Sequence, residues 1–239
     1  MSSTASPTLD LQPNPGADPG RWACAHARFR AFVADPAFPC AGAKSAINTG
    51  RYHLALFGRL GDRAVADDLH AALLEFLAAY PDPGAKPVTF IAVFESSTAS
   101  EDVFESLLWR QLQQVHEVDR VDHAWDPAVS DDPEDPAFSF SVGGKGLFVV
   151  GLCPQASRLA RRAPSDTLVF NLHAQFEALK ASGKYGAMEQ AIRARDLALQ
   201  GSINPVLARH GESSQARQFS GRAVGDAWRC PFQARGRAA

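Results

Sequence analysis

Three arginines crowd one turn of this chain. In GLCPQASRLARR (151–162) the apolar run Leu147-Phe148-Val149-Val150 gives way within a few residues to Arg158, Arg161 and Arg162. A guanidinium is a planar fork that binds oxyanions in a bidentate way, so the cluster suits phosphates or paired carboxylates. A solvated helix face is the alternative, and residue types alone leave the two level. Nucleic acid is a poor match, because no aromatics interleave with the arginines and the formal net charge of the 239-residue chain is −2. Cys153-Pro154 sits at the mouth of the same turn.

Other residue groups suggest chemistry less strongly. HEVDRVDHAWD (116–126) carries His116, Asp119, Asp122, His123 and Asp126 as nitrogen and carboxylate donors. Their spacing matches no familiar zinc or facial-triad pattern, and a polar helix end is the ordinary reading. In SVGGKGLF (141–148), Lys145 is followed by glycine and strands flank both sides, so a hairpin turn is expected and not a phosphate loop. No GxSxG nucleophile elbow occurs; FSGR (219–222) is not that motif. Cys40 and Cys153 are candidate thiol nucleophiles, although a buried cysteine is commonly inert packing. His173 ends the apolar run Leu168-Val169-Phe170 and leads into a segment bearing Gln175 and Glu177. A hydrogen-bonded structural histidine is the ordinary case there. An imidazole beside a pocket is also what an iron ligand or a proton carrier requires.

Hydrophobic period supplies the elements that must position these groups. A short amphipathic helix is expected over 21–33, with Trp22, Phe29 and Phe32 on its apolar side, and FPCAGAKSAIN (38–48) reads as loop. RYHLALFG (51–58) reads as a strand, followed by a helix from Asp62 carrying Val65, Leu69, Leu73 and Phe76. PVTFIAVFE (87–95) is a strong strand, and Thr98 with Glu101 fits a capping box for a helix bearing Phe104, Leu108 and Leu112. The stretch 122–137, rich in Asp-Pro, is a long loop. A hairpin about Gly143-Gly144, a strand over 166–173, a helix near 175–181 and one marked by Met188, Ile192 and Leu199 follow; 201–239 reads mostly as loop. Strands and helices mix along the chain, and some strands pair as hairpins. The expected fold is therefore α+β, one domain with a mixed or antiparallel sheet against several helices.

Composition sets the outer bounds. Apolar residues make up 46% of the chain and charged residues 21%, as in an ordinary soluble protein with a sizeable core. Residues 1–20, rich in Ser, Pro, Gly and Asp, read as a disordered leader without the basic and apolar regions of a signal peptide, and 234–239 as a flexible tail. The four cysteines, Cys24, Cys40, Cys153 and Cys230, form no CxxC pair, which favours reduced thiols in a cytoplasm. No apolar run approaches a membrane span, so neither membrane nor nucleic acid is expected as a partner.

Nine segments in order carry a resemblance. FPC (38–40), FIAVFE (90–95), FESLLW (104–109), HAWDPAVSDDPEDPAFSFSVGG (123–144), GLCPQASRLARR (151–162), LVFNLHAQFEALK (168–180), IRARDLALQGSINPVL (192–207), GESSQARQFSGR (211–222) and WRCPF (228–232) resemble the YqcI/YcgG family, nearest its guanitoxin-type heme-dependent N-hydroxylase branch. The resemblance implies a domain over 21–233 that binds heme b and, with O2, N-hydroxylates the guanidino or amino group of a free basic amino acid or related amine. It implies an electron donor or reductase as partner, with a homodimer as one expected assembly. Arg158, Arg161, Arg162 and Arg222 would hold the heme propionates, with Arg217 a further anion candidate, and His173 would be the axial ligand of the iron. The family pattern carries Gly-Leu-His-Pro where this chain has Gly151-Leu152-Cys153-Pro154, which makes Cys153, as a thiolate, the alternative ligand. Glu95 and Glu105, followed by Glu177, are the carboxylates expected to meet a cationic substrate. Two rival readings stand beside this one: a heme sensor or carrier without turnover, and a relative without heme that binds a partner.

Overall fold

The structure is a computed structural model that describes residues 12–82, 84, 86–206 and 214–236. Residues 1–11 of the expected leader and 237–239 of the expected tail lie outside the described residues. Five strands form one mixed sheet: β1 (Tyr52–Phe57), β2 (Thr89–Phe94), β3 (Phe140–Val142), β4 (Lys145–Leu152) and β5 (Thr167–Leu172), in the order β1-β2-β5-β4-β3. Only β1 and β2 run parallel; the β2–β5, β5–β4 and β4–β3 pairs are antiparallel. The α+β expectation holds.

Seven helices appear among the described residues: α1 (Pro19–Ala34), α2 (Ala41–Asn48), α3 (Arg63–Ala79), α4 (Glu101–Asp119), α5 (His173–Ala181), α6 (Tyr185–Gln200) and α7 (Ala216–Phe219). They cover both faces of the sheet, and the two-residue period of each strand sorts its side chains between them. On one face Phe90, Ala92 and Phe94 of β2 and Leu168 and Phe170 of β5 meet Leu69, Leu73 and Phe76 of α3 and Phe104, Leu108 and Leu112 of α4. On the other, Leu54, Leu56, Ile91 and Val93 meet Trp22, Phe29 and Val33 of α1 and Ile47 of α2. Because both faces are covered, β2 is buried at every position, and after Thr89 it is a continuous apolar run and not an alternating one.

Turn chemistry fixes the ends. Gly143 and Gly144 join β3 to β4 with φ of 57° and 69°, the left-handed pair that a two-residue hairpin demands. Two local expectations need correction. The segment read as loop contains α2, whose first turn is capped by Cys40 Sγ accepting from Ala43 N–H at 3.4 Å. And α4 is capped by Ser100, which accepts from Val103 N–H, and not by Thr98. Thr98 instead gives both its N–H and its hydroxyl to buried Asp166, while Glu101 turns outward to accept from Ser157 N–H at 2.7 Å.

Segments near both ends of the described chain are tied down. Asn14, within the expected leader, clasps β1 by exchanging two hydrogen bonds with the backbone of Leu56, at 2.7 and 3.0 Å. Arg235, within the expected tail, donates its N–H to His116 Nε2 at 2.9 Å. That ring nitrogen accepts, so the imidazole is neutral. Burial depresses the affinity of His116 for a proton, as it does for His26, His53 and His173. For a group whose folded value is depressed, the unfolded chain binds the proton first as the pH falls, so each such histidine withdraws stability below about pH 6.5. Melting temperature should therefore drop between about pH 8 and about pH 5.5, and His116→Gln should flatten part of that slope. A flat profile in the wild type would refute the linkage.

Candidate ligand cavity and its arginines

Between the second sheet face and α1, α2, α5 and α6 lies a cavity of about 300 Å3. That is the low end of the range of about 300–1,000 Å3 typical of small-molecule sites. Its floor is Ile91, Phe148, Val150, Leu152 and Val169 from three strands, and its walls are mostly apolar helix residues, among them Phe29, Ile47, Met188 and Ile192. Two of the three opening arginines reach it.

Local structure explains which two. Leu159–Arg161 is a single 3₁₀ turn preceded by Arg158, and its geometry places side chains three apart on the same side. Arg158 and Arg161 thus both face inward, and both line the cavity. Arg162 is exposed, with its Nε donating to Ala156 O at 3.0 Å.

The inward pair is differently compensated. Arg158 is 7% exposed and meets Asp196 of α6 at 2.6 Å, with further bonds to Ser202 O at 2.6 Å and Ser202 Oγ at 2.9 Å. Its Nε is buried with no hydrogen-bond partner. Arg161 is held by carbonyls: Nη1 donates to Gly151 O at 2.9 Å and Phe219 O at 3.4 Å, and Nη2 to Gln218 O at 3.2 Å. No carboxylate among the described residues lies within ion-pairing distance of it. Burial pushes its guanidinium down to about 10, so it remains a cation at neutral pH. Gly221, at φ +80°, lets the chain pass this close: a Cβ there would stand 3.1 Å from Arg161 Cγ. Among the described residues Arg161 is thus a cation on an apolar wall held by carbonyl oxygens and not by an ion pair.

The other expected site residues fall elsewhere. Cys153 is buried in the core on the opposite face, where burial pushes its thiol up to about 11. It packs as a small hydrophobe and does not line the cavity. Glu105, on α4 beneath that same opposite face, pairs with Arg222 and accepts from Trp228 Nε1 at 2.8 Å. Asp102 adds a second carboxylate to Arg222 at 3.3 Å, and the cluster fastens the C-terminal segment to α4. Glu95 lies at the surface with Arg21, 3.1 Å away. Arg217 donates to Gly225 O and stacks over Trp228. The structure therefore does not gather Arg162, Arg222, Cys153, Glu95 and Glu105 with the two inward arginines.

His173 opens α5 at the end of β5. Its Nδ1 stands 3.2 Å from Ser139 Oγ and its Nε2 3.7 Å from Glu177 Oε1. Burial lowers its proton affinity, so the ring is neutral at neutral pH. It is not among the lining residues, although Asn171, Gln175 and Phe176 beside it are.

Several lining groups were invisible as site residues in the sequence. Glu189 of α6 sits 3.7 Å from Arg193 and faces the cavity. Asp196 is one turn further along α6, and Tyr185 at its start has its phenol pushed up by burial and by neighbouring carboxylates. The only signal for these α6 residues was the i,i+4 spacing of Glu189 and Arg193, which an exposed helix shows equally. Cys40, a candidate thiol in the sequence, also lines the cavity at the cap of α2.

The model of the YqcI/YcgG family matches residues 29–233, from the middle of α1 past the segment that Glu105 fastens. The chain belongs to the YqcI/YcgG family. No curated protein and no solved structure matches it. This family member thus presents two arginines on one cavity wall, one in an ion pair with Asp196 and one held, among the described residues, by carbonyls alone. Among its described residues no helix is long and apolar enough to cross a membrane.

Removing one partner of a buried ion pair leaves the other charge stranded, at a cost of about 3–5 kcal/mol. Asp196→Ala should therefore lower the free energy of unfolding in urea by about that amount. The double variant Arg158→Met/Asp196→Leu should recover most of the loss; equal destabilisation of both would mean that the pair is not what anchors the turn to α6.

Proposed function

We propose that this protein is a heme-dependent oxygenase that N-hydroxylates a small amine or guanidine, most simply a free basic amino acid. The observation that carries the reading is Arg161, which among the described residues forms no ion pair, on the wall of a mostly apolar cavity, with the orphaned Nε of Arg158 on the same wall. A flat apolar molecule with carboxylates on one edge meets both demands of such a site. Heme b has that form, and the family resemblance supports it.

The arginines suit the anionic edge and the apolar floor suits the faces of the macrocycle, although a cavity of about 300 Å3 must widen to take the whole ring. Arg161 supplies a charge-assisted donor to a propionate, and Arg158 offers the Nε that no protein group uses. Ile91, Val150, Val169 and Phe148 would flank the macrocycle and exclude water. For the iron, His173 is neutral, the form that ligates, and its chain neighbours line the cavity. Cys40 is the second donor to weigh, since its sulfur is on the lining; Cys153 is disfavoured by its place in the opposite core.

Bound heme would supply the activation of dioxygen. The overall reaction consumes R–NH2, O2, two electrons from an external donor and two protons, and yields R–NHOH and water. The residues have their own tasks. Glu189, half-buried on the lining, offers a carboxylate for a cationic guanidinium or ammonium group, a task assigned from the sequence to Glu95 and Glu105. The same carboxylate can accept the proton that the substrate nitrogen must lose before its lone pair reacts. Tyr185 stays a neutral phenol and can donate a hydrogen bond.

The protein purified after heme supplementation should show a stoichiometric Soret band. Arg161→Gln should weaken hemin uptake about tenfold or more, the loss of one charge-assisted contact. His173→Ala should shift or abolish the band, with Cys40→Ser and Cys153→Ser as parallel arms, and Glu189→Gln should lower amine oxidation while leaving the spectrum intact. A colourless protein that takes up no added hemin would refute the proposal and leave the cavity to another amphipathic carboxylate.

A further inference from the structure

The geometry points to a divalent metal site on the opposite side of the sheet, formed by His70, Asp119 and His123 and independent of the cavity. Five donors in the 116–126 stretch looked metal-like in sequence, and most of them have other work. His116 Nε2 accepts from Arg235 N–H, and Asp126 accepts from Gly146 N–H at 2.7 Å and from Ala128 N–H at 2.9 Å. Asp122 is exposed. Asp119 and His123 remain, and the fold adds His70, 49 residues earlier, from the buried side of α3.

One oxygen is the hub. Asp119 Oδ1 lies 2.8 Å from His70 Nε2 and 3.0 Å from His123 Nδ1, and it accepts from Gly143 N–H at 2.9 Å. Asp119 is 3% exposed. The three donor atoms fall within 4.8 Å of one another.

Hydrogen bonding accounts for His70 but not for His123. The Nδ1 of His123 is a buried atom that forms no hydrogen bond, although it stands within contact distance of the carboxylate. The approach is close, yet it is not aligned for N–H···O. A metal ion does not require one donor to point at the other; it requires their lone pairs to converge on a shared point. Ligand bonds of about 2.0–2.2 Å at tetrahedral angles place donor atoms about 3.4 Å apart; the imidazole nitrogens stand 2.8 and 3.0 Å from Asp119 Oδ1, so an outward shift of a few tenths of an ångström would open the site to an ion. Two imidazoles and one carboxylate are a nitrogen-oxygen set suited to zinc and its first-row neighbours. His123 is partly exposed, which leaves the ion an entry path and room for a water ligand.

Such an ion would tie α3, the end of α4 and the β3–β4 turn together through one point. The test is calorimetric titration of chelator-treated full-length protein with Zn2+. The wild type should bind one equivalent with micromolar or tighter affinity, and its melting temperature should rise with free Zn2+. His123→Ala removes a ligand at the partly exposed side, where the fold tolerates it, and should weaken that site about a hundredfold. His53→Gln, outside the cluster, should leave it unchanged. A wild type without a tight equivalent, a tight site that survives in His123→Ala, or one lost in His53→Gln would each overturn the assignment.

Discussion

A guanidinium set in an apolar wall, where among the described residues it meets carbonyl oxygens and no ion-pairing carboxylate, is the constraint on which this molecule turns. Arg161 remains charged at neutral pH, and its three contacts are carbonyl oxygens, which satisfy donors but do not neutralise charge. Keeping it there takes structure: Gly151 and Gln218 must present their carbonyls, Gly221 must vacate space, and Asp196 must be spent on Arg158.

The two faces of the sheet divide the labour accordingly. The face under α3 and α4 is filled by phenylalanine, leucine and tryptophan, and several of its polar groups pair with one another: Glu105 with Arg222 and Trp228, Asp119 with His70. The face under α1, α2 and α6 is apolar but incompletely filled. The larger buried cluster lies on the first face, and the cavity on the second.

Strands and long helices were legible because period and turn residues are local. Gly143-Gly144 announced its hairpin, and β2 its burial. What could not be read was which residues the fold would bring across distance. The three arginines of the opening turn look equivalent in the chain, and only the 3₁₀ turn separates Arg158 and Arg161 from Arg162. Glu105 looked like a substrate carboxylate because nothing in FESLLW reveals Arg222, 117 residues later. The helix α2 was missed because AGAKSAIN carries few apolar residues and its cap is a cysteine sulfur, a rare N-cap. His70 had no partner in view at all.

Strand order has a consequence for the way the chain is made. The last strand to be synthesised, β5, is the middle of the sheet, paired to β2 on one side and β4 on the other. Until residue 172 is available, the β1–β2 pair and the β3–β4 hairpin have nothing to join them, and two apolar strand edges stand open. Sheet closure is therefore a late, non-local event, slow relative to formation of α3 and α4. A nascent or truncated chain ending before Thr167 exposes edges prone to pairing with other chains, so this protein depends on finishing its synthesis before it can be protected by its own fold.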